Sequence, residues 1–443
     1  MRIQLSDHFT TGRLIRFVIP SIAMMVFTSI YCVVDGFFVS NFVGKIPFAA
    51  VNLIFPVIQM LGTIGFMLGT GGSALVSMLL GEGQKEKASK VFSLMVYMAI
   101  ILGGILGILG FSFMEPIAIM LGAKGEMVHL CVVYGRIIIG VLPTFMLQVM
   151  FQSFLVTAEK PNLGLILTIA AGVCNMILDW LFMAVFHMGL PGAALATALS
   201  QAVGGILPLI YFVRKNDSAL RLVKFEFDGR AMLKACVNGS SELVSNISMS
   251  VVAILYNFQL LRFAGENGVA AYGVLMYVNF IFISIFLGYS IGVAPIIGYN
   301  YGAGNHGEMK NIFKKSSIFV LITGGIMACS AYVLAPSVAD IFVGYDSTLC
   351  AITVYAFRAT ALSFFFAGIG IFASSMFTAL NDGLISALIS FLRTLVFQVA
   401  AILIMPIIWG INGVWHSVVV AEVLATVVAV IFIIKFRKKY HYF

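Results

Sequence analysis

Residues 91–114 and 316–339 each run for 24 positions without a single Asp, Glu, Lys or Arg. A hydrocarbon core about 30 Å thick is crossed by roughly 20 apolar residues in an α-helix, so either run is long enough to span a bilayer. A spanning backbone must satisfy its own hydrogen bonds, which leaves helices or a closed β-barrel. Barrel strands read as roughly ten residues of alternating polarity, and neither run alternates. The rest of the chain agrees, with 61% hydrophobic and 10% charged residues, where a soluble domain carries about 25% charged. A soluble fold of this composition could not cover its surface, and disorder requires the opposite composition. The chain therefore reads as an all-α membrane protein.

Twelve spans are predicted, at about 14–39, 49–79, 91–113, 130–154, 164–186, 192–213, 239–263, 269–297, 312–335, 351–380, 385–408 and 413–436. Basic residues fix their orientation. Of the 26 Lys and Arg, 20 fall on the side that receives both chain ends and the even-numbered loops. Lys45, Lys124 and Arg262 fall on the other side, and Arg136, Arg358 and Arg393 fall within spans. By the positive-inside rule both termini are cytoplasmic, in a multi-pass protein of the cell membrane. No basic stripe with interleaved aromatics occurs, so nucleic acid is not an expected partner. Segment 1–16 is polar and basic and leads into a long apolar run with no small-residue cleavage site, which reads as a retained first helix. The six cysteines form no CxxC pair and read as small buried packing residues.

The chain also repeats. In the register that carries Gly44 onto Gly265, Tyr134 falls on Tyr355, Ala158 on Ala379, and Gly189 and Gly192 on Gly410 and Gly413. With the shift lengthened by two positions, Gly65, Gly69 and Gly81 fall on Gly288, Gly292 and Gly304. An even number of spans per half gives the halves the same orientation, related by a pseudo-two-fold along the membrane normal. The expected domains are a six-helix lobe at 1–213, a cytoplasmic linker at 214–235 and a second six-helix lobe at 236–443. Parallel-repeat transporters place their substrate site between the lobes and rock one against the other.

Charges at the bilayer centre cost about 2.5–3.5 kcal/mol and are functional candidates by default. Asp35 and Asp179 are the clearest, and Asn175, four residues before Asp179, shares its helix face. Two carboxylates and an amide oxygen suit a small hard cation, and two neighbouring carboxylates also suit a shared proton. The repeat places Tyr256, Val396 and Ala400 opposite Asp35, Asn175 and Asp179, so the six-helix unit does not require the cluster. Glu422 aligns with Gln201 and reads as a structural contact. Glu242 reads as a helix-start residue complementing the dipole. Arg136, Arg358 and Arg393 read as snorkelling side chains. Pro20, about four turns before Asp35, offers a bend in the first helix. No P-loop, HExxH or GxSxG motif occurs, so neither an enzyme nor an ATP-driven pump is expected and a gradient is the expected drive.

These residues resemble the MATE (multidrug and toxic compound extrusion) transporters. The resemblance rests on Asp35 in Val-Val-Asp-Gly-Phe-Phe-Val, on Glu159-Lys-Pro-Asn followed by Asn175-Met-Ile-Leu-Asp179, on Gly189-Leu-Pro-Gly-Ala-Ala-Leu-Ala-Thr197, and on Gly298-Tyr-Asn-Tyr-Gly-Ala-Gly304. It covers essentially the whole chain. It implies two six-helix lobes around a V-shaped cleft, and antiport of amphipathic, often cationic drugs against sodium ions or protons. It further implies a first-lobe cation site at Asp35, Asn175, Asp179 and Thr197, a nearby tyrosine at Tyr134, and a helix bend at Pro20. No cofactor beyond the coupling ion is implied. The chain departs from the family in the second lobe. Some members carry a buried Glu on the seventh helix and an Asp on the tenth; here Glu242 sits early in the seventh and the tenth has Arg358 and no acid.

Polar or soft residues within spans, Met25, Gln148, Gln152, Tyr256 and Asn257, are the candidates for cleft walls. The expected partners are small amphipathic or cationic molecules and the lipid bilayer, and the expected functional unit is a monomer. A flippase for lipid-linked precursors on a related two-lobe fold is the alternative; it calls for several Arg or Lys along the cleft.

Overall fold

The computed structural model describes residues 3–443, without the side chains of Ser40, Asn41 and Lys45. Arg2, one of the basic residues counted above, lies outside the described residues. Seven helices form the first half: α1 (Thr11–Phe42), α2 (Lys45–Gly81), α3 (Lys85–Met120), α4 (Glu126–Gly140), α5 (Leu142–Thr157), α6 (Pro161–Asp179) and α7 (Leu190–Val213). Eight form the second: α8 (Gly229–Gly302), α9 (His306–Val333), α10 (Ala335–Val343), α11 (Ser347–Thr360), α12 (Ser363–Ala379), α13 (Gly383–Phe391), α14 (Phe397–Trp409) and α15 (Ile411–Tyr440). π-helical segments follow α6 (Trp180–Val185) and join α13 to α14 (Leu392–Val396).

Three features turn these helices into twelve spans. α8 has 74 residues, far more than the roughly 20 that cross a bilayer once. Gly265 breaks it at φ 62° and ψ −153°, so residues 229–264 and 266–302 cross separately. α4 and α5 form one span bent by 57°, and α11 and α12 another bent by 48°. The two lobes of six spans follow. Position 141 interrupts one bent span and position 362 lies at the break of the other, and the repeat carries the first onto the second. The left-handed glycines keep the same register, pairing Gly44 with Gly265, Gly83 with Gly304 and Gly189 with Gly410. Side chains disfavour that conformation and glycine does not, so the repeated glycines mark repeated turns.

The lobes meet on the side that carries both termini, where α2 crosses the two arms of α8. A Cβ built on Gly71 would lie 2.0 Å from Ala235 O, and one on Gly239 2.0 Å from Met67 O. Further along α2 a Cβ on Gly81 would lie 2.0 Å from Tyr299 O, and one on Gly302 2.1 Å from Met78 O. The backbones themselves are in contact, so no side chain larger than hydrogen fits. Asn381 adds a bridge, accepting from Asn238 Nδ2 at 2.7 Å and donating to Ala74 O at 3.1 Å. The N-terminal strap before α1 reaches across as well. Leu5 N–H donates to Glu159 in the first lobe, while Phe9 N–H and His8 Nδ1 meet Glu308 in the second, at 2.9 and 2.7 Å.

Two expectations are corrected. Glu242 is not at a helix start: α8 begins more than three turns earlier, at Gly229, and Asp228 caps it by accepting from Arg230 N and Ala231 N. Of the cysteines only Cys131 is buried, whereas Cys32 and Cys329 are exposed on their helices.

Candidate cation site and central cleft

Asp179 closes α6 just where the chain passes into its π-helical segment. Such turns add a residue to the helix and recur at functional sites. Asp179 is fully buried, and Asn175, one turn earlier on the same face, is 1% exposed. The carboxyl of Asp35 on α1 and the buried phenol of Tyr134 on α4 lie within electrostatic reach of Asp179 and of one another. Val39, Met183, Leu190, Ala193 and Ala194 form the apolar shell alongside Tyr134. Thr197 follows Ala193 by one turn of α7.

The oxygens of this group are buried and without partners. No protein N–H or O–H donates to Asp35 Oδ1, Asp179 Oδ1 and Oδ2, or Asn175 Oδ1, and Thr197 Oγ1 has no hydrogen bond. Buried oxygens left so are costly, by roughly 1–3 kcal/mol each. Two carboxylates, an amide and a hydroxyl are hard donors of the kind that suit a small hard cation. The facing carboxyls are equally able to hold a proton between them. Pro20 lies about four turns before Asp35 in an unbroken α1, where Ser21 and Ile22 back onto Gly288 of α8. The turn that follows the proline is therefore packed against the opposite lobe.

A separate cavity of about 380 Å³ lies between the lobes. Most of its wall comes from α8, α11, α12, the α13–α14 span and α15, and α1, α2 and α5 of the first lobe contribute Met25, Phe66, Thr70, Ser73 and Ser153. Tyr256 and Tyr272 stack on this wall, with ring centroids 5.3 Å apart and planes 4° apart. Met25 and Tyr256 thus line the cleft. Gln148 and Gln152 line a different, small cavity of about 10 Å³ inside the first lobe. Asn257 is exposed and lines neither.

Sequence reasoning missed the charged part of the cleft. Glu242, Glu422 and Arg393 all line it. Arg393 does not snorkel: its Nε donates to Glu422 Oε2 at 2.9 Å, inside the second lobe. Arg136 and Arg358 do remain near the surface, over the rings of Phe111 and Tyr332. The available signal was an Arg and a Glu of opposite charge in consecutive apolar spans. Hydroxyls were also missed. Ser374 bonds Ser386 and Ser390 at 2.9 and 2.8 Å, and Thr378 bonds Ser386 at 2.7 Å, which ties the cleft wall toward Asn238.

The family model MatE matches residues 20–181 and again residues 243–404. The chain belongs to the MatE family. The two matches are of equal length, and their starts keep the register in which Gly65 and Gly69 fall on Gly288 and Gly292. The chain is similar to the multidrug export protein MepA of Staphylococcus haemolyticus (strain JCSC1435), at 25% identity over 427 residues, covering 96% of this chain and 94% of that one. MepA of Staphylococcus aureus (strain MRSA252) matches to the same extent. Among solved structures, an outward-facing multidrug resistance MATE family transporter of the MOP superfamily superposes with a TM-score of 0.91 at 24% identity, over 97% of this chain and 98% of that one. A MATE in complex with MaL6 gives the same values. The fold is that of a multi-pass membrane transporter family.

Proposed function

We propose that this chain exports amphipathic, cationic small molecules across the cell membrane, exchanging them for sodium ions or protons. The observation that carries the reading is the set of buried, partnerless oxygens on Asp35, Asn175, Asp179 and Thr197. A helix bundle gains nothing from burying two carboxylates together unless a cation or proton visits them. The coupling species is cargo, held by these oxygens and oriented by Tyr134. Met25 on the same helix as Asp35 faces the cleft, so α1 joins the two sites mechanically, with Pro20 as its bend. The cleft suits flat apolar cations: aromatic and Met walls adapt to varied shapes, and two Glu outweigh one Arg. The closed seam between α2 and α8, on the side of the termini, leaves the cleft facing the other side. With the termini cytoplasmic, that is an outward-facing state of an alternating-access cycle. The lobe limits 1–213 and 236–443, with 214–235 between them, belong to the same reading, as does a monomeric unit. The name of the MepA relatives, multidrug export protein, supports it. A lipid-pyrophosphate flippase would need several basic groups along the cleft, and among the lining residues Arg393 is the only Lys or Arg.

The test is uptake of a fluorescent organic cation by proteoliposomes, under a sodium gradient and separately under a pH gradient, with Asp35→Asn and Asp179→Asn beside the unchanged protein. Transport driven by one gradient and lost in both variants is expected. Variants that pump at the unchanged rate would remove the first-lobe cation site.

A further inference from the structure

We propose that the segment joining the two lobes is a docking surface for anionic phospholipids of the leaflet on the side of the termini. Phe225, Phe227 and Leu233 enter that leaflet, and Arg221, Lys224 and Arg230 hold the phosphate groups at its surface. The proposal does not depend on what the cleft carries.

Three observations converge. First, the segment sits at the depth of a membrane boundary. The charge-free run 91–114 of α3 is about 36 Å long at 1.5 Å per residue, slightly more than the roughly 30 Å of hydrocarbon in a bilayer. Lys90 closes that run and pairs with Glu226 at 3.2 Å. Inside the run, Ser93 Oγ accepts from Val223 N–H at 2.8 Å, and the ring of Tyr97 meets Phe225 edge-on at 5.5 Å. Tyr97 lies about 9 Å beyond the start of the run. The segment therefore runs along α3 across the boundary instead of standing above the helix ends. The start of α8 is equally deep: Ala235 O faces Gly71, about 15 Å before α2 ends at Gly81.

Second, the segment turns apolar side chains outward. Leu220 is buried in the first lobe, but Phe225 is 40% exposed, Phe227 66% and Leu233 67%. A Cβ on Gly229 would lie 3.5 Å from the Phe227 ring, so that ring lies over the first turn of α8. Leu233 follows Gly229 by one turn on the same helix face. Single exposed apolar residues are ordinary. A group of them rimmed by cations at this depth is the arrangement of an interfacial membrane contact.

Third, the charge is one-sided. The stretch 214–235 holds three acids, and each is engaged: Asp217 meets Lys160 at 2.7 Å, Glu226 meets Lys90, and Asp228 caps α8. Arg221, Lys224 and Arg230 are exposed and make no ion pair among the described residues. The order of the groups selects lipid over a soluble partner, because the apolar side chains reach the level of the hydrocarbon while the cations stay at the level of its phosphates. Residues 214–228 rest on the first lobe and Gly229 opens the second, so the lipid contact holds the joint between the lobes at one depth.

The experiment is tryptophan quenching in vesicles containing the full-length protein with Phe227→Trp. The vesicles are equal mixtures of phosphatidylglycerol and phosphatidylcholine, in which one lipid or the other carries bromine on its chains near the glycerol. Emission of the unchanged protein, from Trp180, Trp409 and Trp415, is subtracted. Both brominated lipids should quench the added residue. Each cation near an anionic surface contributes about fivefold, so phosphatidylglycerol should be preferred by at least about fivefold. Adding Arg221→Gln, Lys224→Gln and Arg230→Gln should bring the preference within about twofold of parity. Lys310→Gln, Lys314→Gln and Lys438→Gln remove three other exposed cations and should leave it intact. Quenching by neither lipid means that something other than lipid covers the surface, and the proposal fails. Equal quenching by both lipids leaves an apolar anchor without a headgroup site. Loss of the preference in both sets of Gln variants assigns it to overall positive charge and removes the site. If Phe227→Trp fails to fold, melting temperatures in nanodiscs of each lipid decide. A gain in phosphatidylglycerol that disappears when Arg221, Lys224 and Arg230 are replaced by Gln supports the site, and an equal gain with and without them overturns it.

Discussion

Gly71→Ala should push the transporter out of the state described here. The added methyl would sit 2.0 Å from Ala235 O and 2.5 Å from Gly239 N, where ordinary contact starts at about 3.4 Å. The obstruction is backbone, so no side chain can rotate away, and α2 and α8 must part to make room. Overpacking of this kind costs about 1–3 kcal/mol. The proposed alternating-access cycle requires the same seam to open in its opposite state, where the methyl would cost nothing. The whole penalty then appears as a shift in the conformational equilibrium of roughly 5- to 150-fold. The assay is the rate at which a membrane-impermeant maleimide labels a cysteine introduced on the cleft-facing side of α2, in vesicles of known orientation. Access from the side of the termini should rise and access from the opposite side should fall. Gly104→Ala is the control, because nothing lies within 4 Å of a Cβ there. If Gly71→Ala and Gly104→Ala label alike, the seam is not the gate.

Other contacts can be tested one at a time. Thr197→Val keeps the volume and removes one of the unpartnered oxygens; it should raise the ion concentration needed for half-maximal transport about tenfold, measured under whichever gradient drives uptake. Asn381→Ala removes the bridge from Asn238 to Ala74 and leaves the Asn238 Nδ2 donor without its partner, which should destabilise the closed seam by about 1–3 kcal/mol and lower the melting temperature in detergent. Glu308→Ala frees His8 and orphans Phe9 N–H, so trypsin should cut at Arg13 faster than in the unchanged protein. Burial holds the Tyr442 phenol above its ordinary value of 10.0, and its O–H donates to Ile433 O at 2.7 Å. Since the folded form keeps its proton longer than the unfolded form, this contribution is complete below about pH 10 and lost as pH rises beyond it. Alkaline melting curves should therefore drop less steeply for Tyr442→Phe.

The first-lobe oxygens were legible because an Asp in an apolar run has few innocent explanations, and because Asn175 and Asp179 share one helix face. The twelve spans were legible from the charge-free runs and the loop charges. What the sequence hid depends on contacts between distant helices. Glu242 read as a helix start because Gly239-Ser-Ser resembles a cap, yet Asp228 holds the cap and α8 is already three turns old there. Arg393 read as a surface residue because nothing local announces that Glu422, on the following span, faces it. The bend at 141 is flagged by Pro143 at the start of α5, whereas the bend at 362 looks like unbroken apolar sequence. The hydroxyl-rich cleft wall has no periodic signature, because its Ser and Thr side chains gain their meaning only from the neighbouring span. Gln148 and Gln152 show the converse: polar residues within spans that pack inside one lobe.

α1 carries Met25 at the cleft and Asp35 among the buried, partnerless oxygens, about 15 Å apart along one rigid rod. Apart from that rod, the cleft draws most of its wall from one half of the duplicated chain and the oxygen cluster draws on the other. Such a division lets the two repeated halves diverge under different pressures. Under the proposed function, variants that widen or narrow the range of expelled compounds can accumulate in the second half while the half holding the oxygen cluster stays unchanged. In a population exposed to a succession of toxic compounds, adaptation is then a matter of redecorating one wall.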